Sequence, residues 1–415
     1  MKLKKLLSST SIKLYDFLNK GEVSKIYNEI KHSHGKAKNW DSDLKKYLSS
    51  FSNDGNILNY PIINKADLWQ YSKKVPAKSA YKKFSTGGST GEPLTIPYSK
   101  RRTHVRTASA LYYNYLGGYR PGAPYLFIRS KKEKWYNSLL KNELLFVPDD
   151  LSSESMNRLA ERIHSRKVEI IIGYPSVIKP LSDVYMNNFK LKDSVKSFIS
   201  TSEVLEQDVS LSIQKYMGVN VINRYSNEEN GIIAQSEPNS EEMIVTNYNL
   251  FVEVLNEKNE RVAEGEKGKI VVTDIACDTM PMIRYDTADL GVVSKYNSDG
   301  SLYSLERIEG RSVDYFIDNE GKYFSPLLLG PYIRVPLQDH VSSCQFQVIQ
   351  ISRSQVVVKL ITAEEPSEVI IEKIKDNLGK VFGDRSEIVI EFVDNLYMLP
   401  SGKRPLYVNL VNQQC

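Results

Sequence analysis

Apolar positions along the chain change their spacing three times, and each change predicts a different kind of structure. Residues 1–80 mix helical periodicity with polar loops. Two short stretches there, 41–48 (DSDLKKYL) and 65–73 (KADLWQYSK), read as capped amphipathic helices with Asp or Lys-Ala-Asp starts. From about residue 84 to 300 the spacing shortens to strand-length apolar runs at 123–128, 144–147, 168–172 and 197–199. Helix-like stretches at 152–165 and 175–187 lie between them. Such alternation predicts an α/β layered domain with a largely parallel sheet. Runs at 243–245, 251–255 and 269–273, joined by turns rich in Asn and Gly, predict a small antiparallel β subdomain. Beyond Gly310-Arg311 come a hairpin pair (344–351 and 355–362), a helix over 366–382 and a strand over 387–393. That helix carries apolar Val369, Ile370, Ile374 and Leu378. The expected fold class is therefore α/β, a large layered N-terminal domain with mostly parallel sheets plus a β subdomain. A small mobile α+β C-terminal domain completes it, with the boundary set at 1–311 and 312–415.

Composition agrees with a folded chain of two or three domains and narrows its partners. At 415 residues the chain exceeds one ordinary core, and 41% hydrophobic with 25% charged residues is a globular profile. The 55 basic and 50 acidic residues leave a net charge of only +5, mixed along the length. That is an ordinary solvated surface, so no nucleic-acid partner is expected. The start, MKLKKLLSSTSIKLYDFL, is basic like a signal peptide, but Ser8, Ser9, Thr10, Ser11 and Lys13 interrupt its apolar run. It reads as an amphipathic helix, packed on its own domain or touching a membrane surface. No stretch reaches the ~18 apolar residues of a membrane span, so no integral membrane segment is expected and a cytoplasmic location is. Cys277, Cys344 and Cys415 are scattered, as in a reducing compartment, and no Cys or His set has zinc spacing.

The most informative stretch is Phe84-Ser85-Thr86-Gly87-Gly88-Ser89-Thr90-Gly91-Glu92-Pro93. Its glycines let the backbone pass through positive φ and bring amide N–H groups onto an anion, while the hydroxyls add donors. No Lys-Ser/Thr follows Gly91, so this is not the common nucleoside-triphosphatase loop. On composition alone it reads equally well as a Gly/Ser surface turn.

The form S/T-x-G-x-S/T-T-G-x-P resembles the phosphate loop of the adenylate-forming (acyl-CoA synthetase) superfamily. Leu94 stands where most members place Lys, which makes the loop similar to the phenylacetate-CoA ligase branch. Within that branch it most resembles members found with capsule and surface-polysaccharide genes. Later motifs follow in the family's order. Asn223-Arg224-Tyr225-Ser226-Asn227-Glu228-Glu229-Asn230-Gly231 resembles Y-G-x-S/T-E-x-G, with Ser226 for Gly and Glu228 for Ser/Thr. Pro281-Met282-Ile283-Arg284-Tyr285-Asp286-Thr287-Ala288-Asp289-Leu290-Gly291 is similar to P-x-I-R-Y-x-T-G-D-L-G, with Ala288 for Gly. Gly310-Arg311-Ser312-Val313-Asp314 resembles G-R-x-x-D, and Pro400-Ser401-Gly402-Lys403 resembles P-x-G-K. Gly173-Tyr174-Pro175-Ser176 and Ser200-Thr201-Ser202-Glu203 look like two further segments lining the acyl and adenine pockets.

The resemblance implies the roles. Ser85, Thr86, Gly87, Gly88, Ser89, Thr90 and Gly91 would hold the phosphates of ATP, and Tyr225 and Ser226 would lie against adenine with Ser202 and Glu203. Asp289 would accept the ribose hydroxyls, and Arg311 would reach ribose or phosphate. Glu229 would be catalytic and hold Mg²⁺, a hard cation suited to oxygen ligands, although the Glu228–Glu229 pair leaves the choice of carboxylate open. Lys403, delivered by the C-terminal domain, would be the catalytic cation at the carboxylate and α-phosphate. The implied reaction is activation of a small-molecule carboxylic acid to acyl-AMP, with pyrophosphate released. Acyl transfer follows, to CoA as co-substrate, a carrier protein or a sugar amine, in a surface-polysaccharide setting. The oligomeric state is left open, a homodimer being one candidate assembly. A nucleotidyltransferase that leaves AMP on its target, and a catalytically degenerate nucleotide-binding protein, are the alternative readings.

Overall fold

The computed structural model describes residues 2–51, 55–76, 80–85, 94–129, 135–148, 153–187, 194–311, 316–321, 323–324, 326, 329–337, 344–362, 364–383, 385–397 and 405–411. Four helices come first: α1 (Lys2–Leu18), α2 (Glu22–Ser33), α3 (Trp40–Leu48) and α4 (Lys65–Lys74). The last two match the stretches expected to be helical, but asparagines cap them. The Asn39 side chain accepts from Ser42 N, and Asn64 forms a reciprocal capping box with Asp67. The acidic residues expected to start these helices lie inside the first turn, where the helix dipole favours them.

A hairpin of β1 (Lys82–Ser85) and β2 (Thr95–Tyr98), with Ser85 opposite Thr95, leads into the long helix α5 (Lys100–Leu116). The strands β3 (Tyr125–Ile128), β4 (Glu143–Phe146), β5 (Ile170–Gly173), β6 (Ser197–Ser200) and β7 (Asn220–Asn227) then pair in parallel in the order β4-β3-β5-β6-β7. The crossovers contain α6 (Trp135–Lys141), α7 (Ser153–Arg166), α8 (Pro175–Asn187) and α9 (Gln207–Met217). Both faces of this half are dry. Ile171, Phe198 and Val221 pack under Leu159, Ile163, Val177 and Ile213 of the helices, whereas Ile170, Ile172, Ile199 and Ile222 face the other way with Tyr119. A strand buried on both faces reads as an unbroken apolar run, which is why β5 is Ile-Ile-Ile-Gly.

β7 is the seam of the sheet. Its residues 220–223 pair in parallel with β6, while 224–227 pair antiparallel with β8 (Gly231–Ser236). Beyond it come β9 (Met243–Val245), β10 (Leu250–Leu255), β11 (Lys267–Asp274), β12 (Met282–Tyr296) and β13 (Leu302–Arg311). They continue antiparallel in the order β8-β9-β13-β12-β11-β10, giving one sheet of 11 strands. The parallel layer and the β subdomain expected from the sequence are thus two halves of a single hydrogen-bonded sheet.

The remaining elements are β14 (Phe316–Ile317), β15 (Tyr323–Phe324), α10 (Leu329–Leu337), β16 (Cys344–Ser352), β17 (Gln355–Thr362), α11 (Glu368–Phe382), β18 (Glu387–Phe392) and β19 (Tyr407–Asn409). β14 and β15 pair with each other, and the other four strands form a separate sheet, β18-β17-β16-β19, with its own core. Ile370, Ile374 and Leu378 of α11 pack there against Phe346, Val356, Val358 and Leu360. Val369 departs from expectation: it lies one residue round the helix from that stripe and is 79% exposed.

Candidate active site

The parallel strands β5, β6 and β7 end side by side, and in open α/β sheets such carboxyl ends form the ligand crevice. Gly173 closes β5 where a Cβ would stand 2.4 Å from the Cβ of Ile128, so the close approach of β3 and β5 requires glycine. The chain turns at once into α8, whose start is held by Glu203: Ser176 N and Oγ donate to its two carboxylate oxygens at 3.1 and 3.0 Å. Thr201 N donates to Gly173 O at 3.0 Å, and the hydroxyls of Thr201 and Ser226 lie 3.1 Å apart. Three motifs spread over about 50 residues of sequence are therefore one edge of the sheet. Ser202, between them, takes a left-handed φ of 71°.

Asp289 reaches this edge from β12. The Tyr225 hydroxyl donates to its Oδ2 at 2.8 Å and lies 3.1 Å from Thr287 Oγ1, which itself accepts from Asp289 N and donates to Ile270 O. Burial, followed by the Asp289 charge, pushes the Tyr225 phenol well above its ordinary range, so it remains a donor and orients the carboxylate. Arg311, at the end of β13, is the register partner of Asp289. Between the two motif ends Ala288 sits at φ 63°.

Glu229 follows β7 in the turn to β8 and is 7% exposed, with Lys65 Nζ 3.6 Å from its carboxylate. Glu228 points outward and pairs with Arg106 at 3.0 Å. The two adjacent acids therefore differ: the buried one is Glu229. Their backbone carbonyls are held from the far side of the β1–β2 hairpin. Tyr98 OH lies 3.3 Å from both, Arg106 donates to Glu228 O at 2.8 Å, and Arg102 donates to Glu229 O at 2.7 Å. Arg102 is anchored in turn by Asp274 at 3.0 Å and stacks over Tyr98 at 4.0 Å. Tyr98, Arg102, Arg106 and Lys65 are absent from the sequence reading. Their signal is faint, an aromatic and two arginines at four-residue steps just after the glycine-rich loop. Ser85 ends β1 and so marks one root of that loop. Thr86, Gly87, Gly88, Ser89, Thr90, Gly91 and Lys403 lie outside the described residues.

A narrow cleft with a cavity volume of about 40 Å³ opens beside Ser176, between α8 and β16, and is lined by Lys179, Glu206, Arg334, Cys344 and Phe346. Across it Arg334 Nη1 donates to Glu206 and Asp208, at 2.5 Å from each, and the Tyr407 hydroxyl donates to Glu206 at 2.7 Å. Burial pushes the Cys344 thiol up to about 12 and that of Cys277 well above its ordinary value, so both stay protonated and unreactive. Among the described residues no group of three or more His, Cys, Asp and Glu is assembled to hold a metal. A single buried carboxylate such as Glu229 suits a Mg²⁺ that takes its other ligands from phosphate and water.

No protein-family model matches the chain. Among solved structures it is similar to a 2-hydroxyisobutyryl-CoA ligase in the postadenylation state in complex with 2-HIB-AMP. The TM-score is 0.63 at 16% identity, over 90% of this chain and 85% of that one. The fold is that of the adenylate-forming ligases. The anthranilate CoA ligase AuaEII in complex with anthranoyl-AMP shares this adenylate-forming fold, with a TM-score of 0.54 at 18% identity over 78% of this chain and 64% of that one. In sequence the chain is 24% identical to Protein CapK of Staphylococcus aureus over 371 residues, covering 85% of this chain and 80% of that protein.

Proposed function

We propose that the chain uses ATP to activate a carboxylic acid as its adenylate and then transfers the acyl group to CoA or another acceptor. The observation that carries this reading is the Tyr225–Asp289 pair at the carboxyl ends of the parallel strands, in a chain with the adenylate-forming fold. Asp289, oriented by Tyr225, is a fixed double acceptor suited to the vicinal hydroxyls of ribose. Arg311 belongs beside it, against ribose or phosphate. The rim built by Thr201, Ser202 and Ser226 receives adenine, while Glu203 keeps that rim and α8 together.

The chemistry needs no side-chain nucleophile, in keeping with thiols that burial holds protonated. A substrate carboxylate oxygen forms a bond to the α-phosphorus as the bond to pyrophosphate breaks, and negative charge concentrates on the phosphates. The loop 85–93 supplies amide and hydroxyl donors to those oxygens, and Lys403 screens the two approaching anions. Fixed donors of this kind are each worth ~10²–10³ in rate. Mg²⁺, when bound on Glu229, would neutralise charge on the phosphate oxygens. In the second step the acceptor's thiol or amine attacks the acyl carbon and AMP leaves. Residues 312–415 form the unit that moves between the steps, about a hinge at 311–314, and the Arg334–Glu206 contact is one that the motion breaks. The resemblance to capsule-associated members, together with the likeness to Protein CapK, supports a surface-polysaccharide setting.

Incubation with ATP and a panel of acids and acceptors, followed by mass spectrometry, tests this reading. Free AMP together with an acylated acceptor is the expected product. A substrate that retains AMP would make the chain a nucleotidyltransferase instead.

A further inference from the structure

Helix α1 turns its apolar side outward. Leu14, Phe17 and Leu18 are 53%, 78% and 67% exposed, and their i, i+3, i+4 spacing gathers them on one face. The side facing the protein packs Tyr15 on the core of α2 and α5 and otherwise makes polar contacts. Ser11 Oγ donates to Leu140 O of α6, Asp16 accepts from Ser24 N and Oγ at the start of α2, and Tyr15 packs edge-on against His104. A helix that only covers a core has the opposite arrangement. In sequence, Leu3 and Leu7 continue the same spacing through the earlier turns. Leu140, 43% exposed, adjoins α1 across the Ser11 hydrogen bond.

Charge identifies what this face meets. The helix carries Lys2, Lys4, Lys5 and Lys13, Lys20 follows it, and its one acid, Asp16, is turned to α2 and satisfied there. We propose that this face is a docking surface for an anionic lipid bilayer. Leu14, Phe17 and Leu18 enter the headgroup boundary while the exposed Lys13 and Lys20 meet lipid phosphates. A second copy of the chain would bring lysine against lysine, and an uncharged apolar partner would leave the lysines without counter-charge. The helix lies on the bilayer: among the described residues none is long and apolar enough to cross it. A single such helix gives reversible binding, so the protein exchanges between membrane and solution.

Co-sedimentation of the full-length protein with vesicles tests the proposal, comparing pure phosphatidylcholine with an equal mixture of phosphatidylcholine and phosphatidylglycerol. Binding is expected on the mixed vesicles alone, weakening as salt rises. Replacing Phe17 and Leu18 together by Ser should lower the partition coefficient about tenfold or more. Lys13→Glu, on the exposed surface, should lower it by about fivefold or more while the thermal melt stays unchanged. Failure to bind mixed vesicles, equal binding to both kinds, or full binding by the Phe17/Leu18 variant would overturn the proposal. So would a concentration-dependent dimer that the same variant dissolves, since the face would then belong to a second copy.

Discussion

Ala288 sits at φ 63°, a region that strains any residue with a Cβ, and it does so between the hydroxyl of Thr287 and the carboxylate of Asp289. The strained residue holds the Asp289 backbone in place, and glycine would do so at lower conformational cost. Ala288→Gly is therefore expected to stabilise the fold by about 0.5–1 kcal/mol, after allowing for the extra freedom of glycine in the unfolded chain. Urea unfolding checks it, and an unchanged or lower midpoint would contradict it. Asp289→Asn keeps the shape but loses the charge that receives Tyr225 and, in the proposed reaction, ribose. Its KM for ATP should rise about 10- to 100-fold, the worth of a hydrogen bond to a charged group. At this scale the sequence was readable where a motif has order and length, as at Tyr225 and Asp289. It was silent on Lys65, Tyr98 and Arg102, because an arginine on a helix is ordinarily a surface residue and only the fold brings Asp274 beside it. Nor could spacing distinguish Glu228 from Glu229. Burial does, and burial depends on β2 and α5.

The element that escaped sequence reading most completely is α5. Its residues Arg102, Thr103, His104, Val105, Ala108, Ser109, Tyr112 and Tyr113 are all buried, so no polar stripe marks one face of the helix. Helical periodicity is a sign of half-burial, and a helix covered nearly all round lacks it. The same burial makes α5 a structural key. Arg102 joins it to Asp274 on β11 and to the Glu229 carbonyl, with both charges nearly fully buried. Arg102→Met would strand the Asp274 charge and should destabilise the fold by about 3–5 kcal/mol. Adding Asp274→Leu should recover a measurable part of that loss in a double-mutant cycle, whereas strict additivity would mean the pair is uncoupled. The packing of α2 on α5 also sets a pH limit. His34, just after α2, packs edge-on against Tyr112 and Tyr113, and burial lowers its pKa from the ordinary 6.5. Below 6.5 the unfolded chain takes up a proton that the folded site resists, so stability should fall as pH drops through and below that value. Replacing His34 by Gln should flatten the fall between pH 7.5 and 5.5, measured by urea unfolding in that range; an equal slope in both proteins would assign it to other groups.

For the molecule as a whole, alternation of strands and helices made the α/β class legible, and a change of periodicity marked the antiparallel strands. What periodicity cannot carry is partnership. Nothing in residues 220–227 announces that one strand pairs in parallel on one side and antiparallel on the other, yet that seam brings Tyr225 to Asp289. Likewise β16, β17, α11 and β18 were readable as an element set, but β19 was not, and the ion pairs from Arg334 of α10 to Glu206 and Asp208 join residues more than 120 positions apart. The proposed division of labour between the two sheets rests on Lys403 arriving at the site that the larger sheet builds. Lys403→Ala should cost ~10²-fold or more in adenylate formation while leaving transfer from preformed acyl-AMP intact. The most direct measurement is exchange of labelled pyrophosphate into ATP across a broad panel of carboxylic acids. Exchange that depends on the acid is expected, present in the natural protein and lost in Lys403→Ala. A folded, ATP-binding protein that exchanges no label with any acid would contradict it.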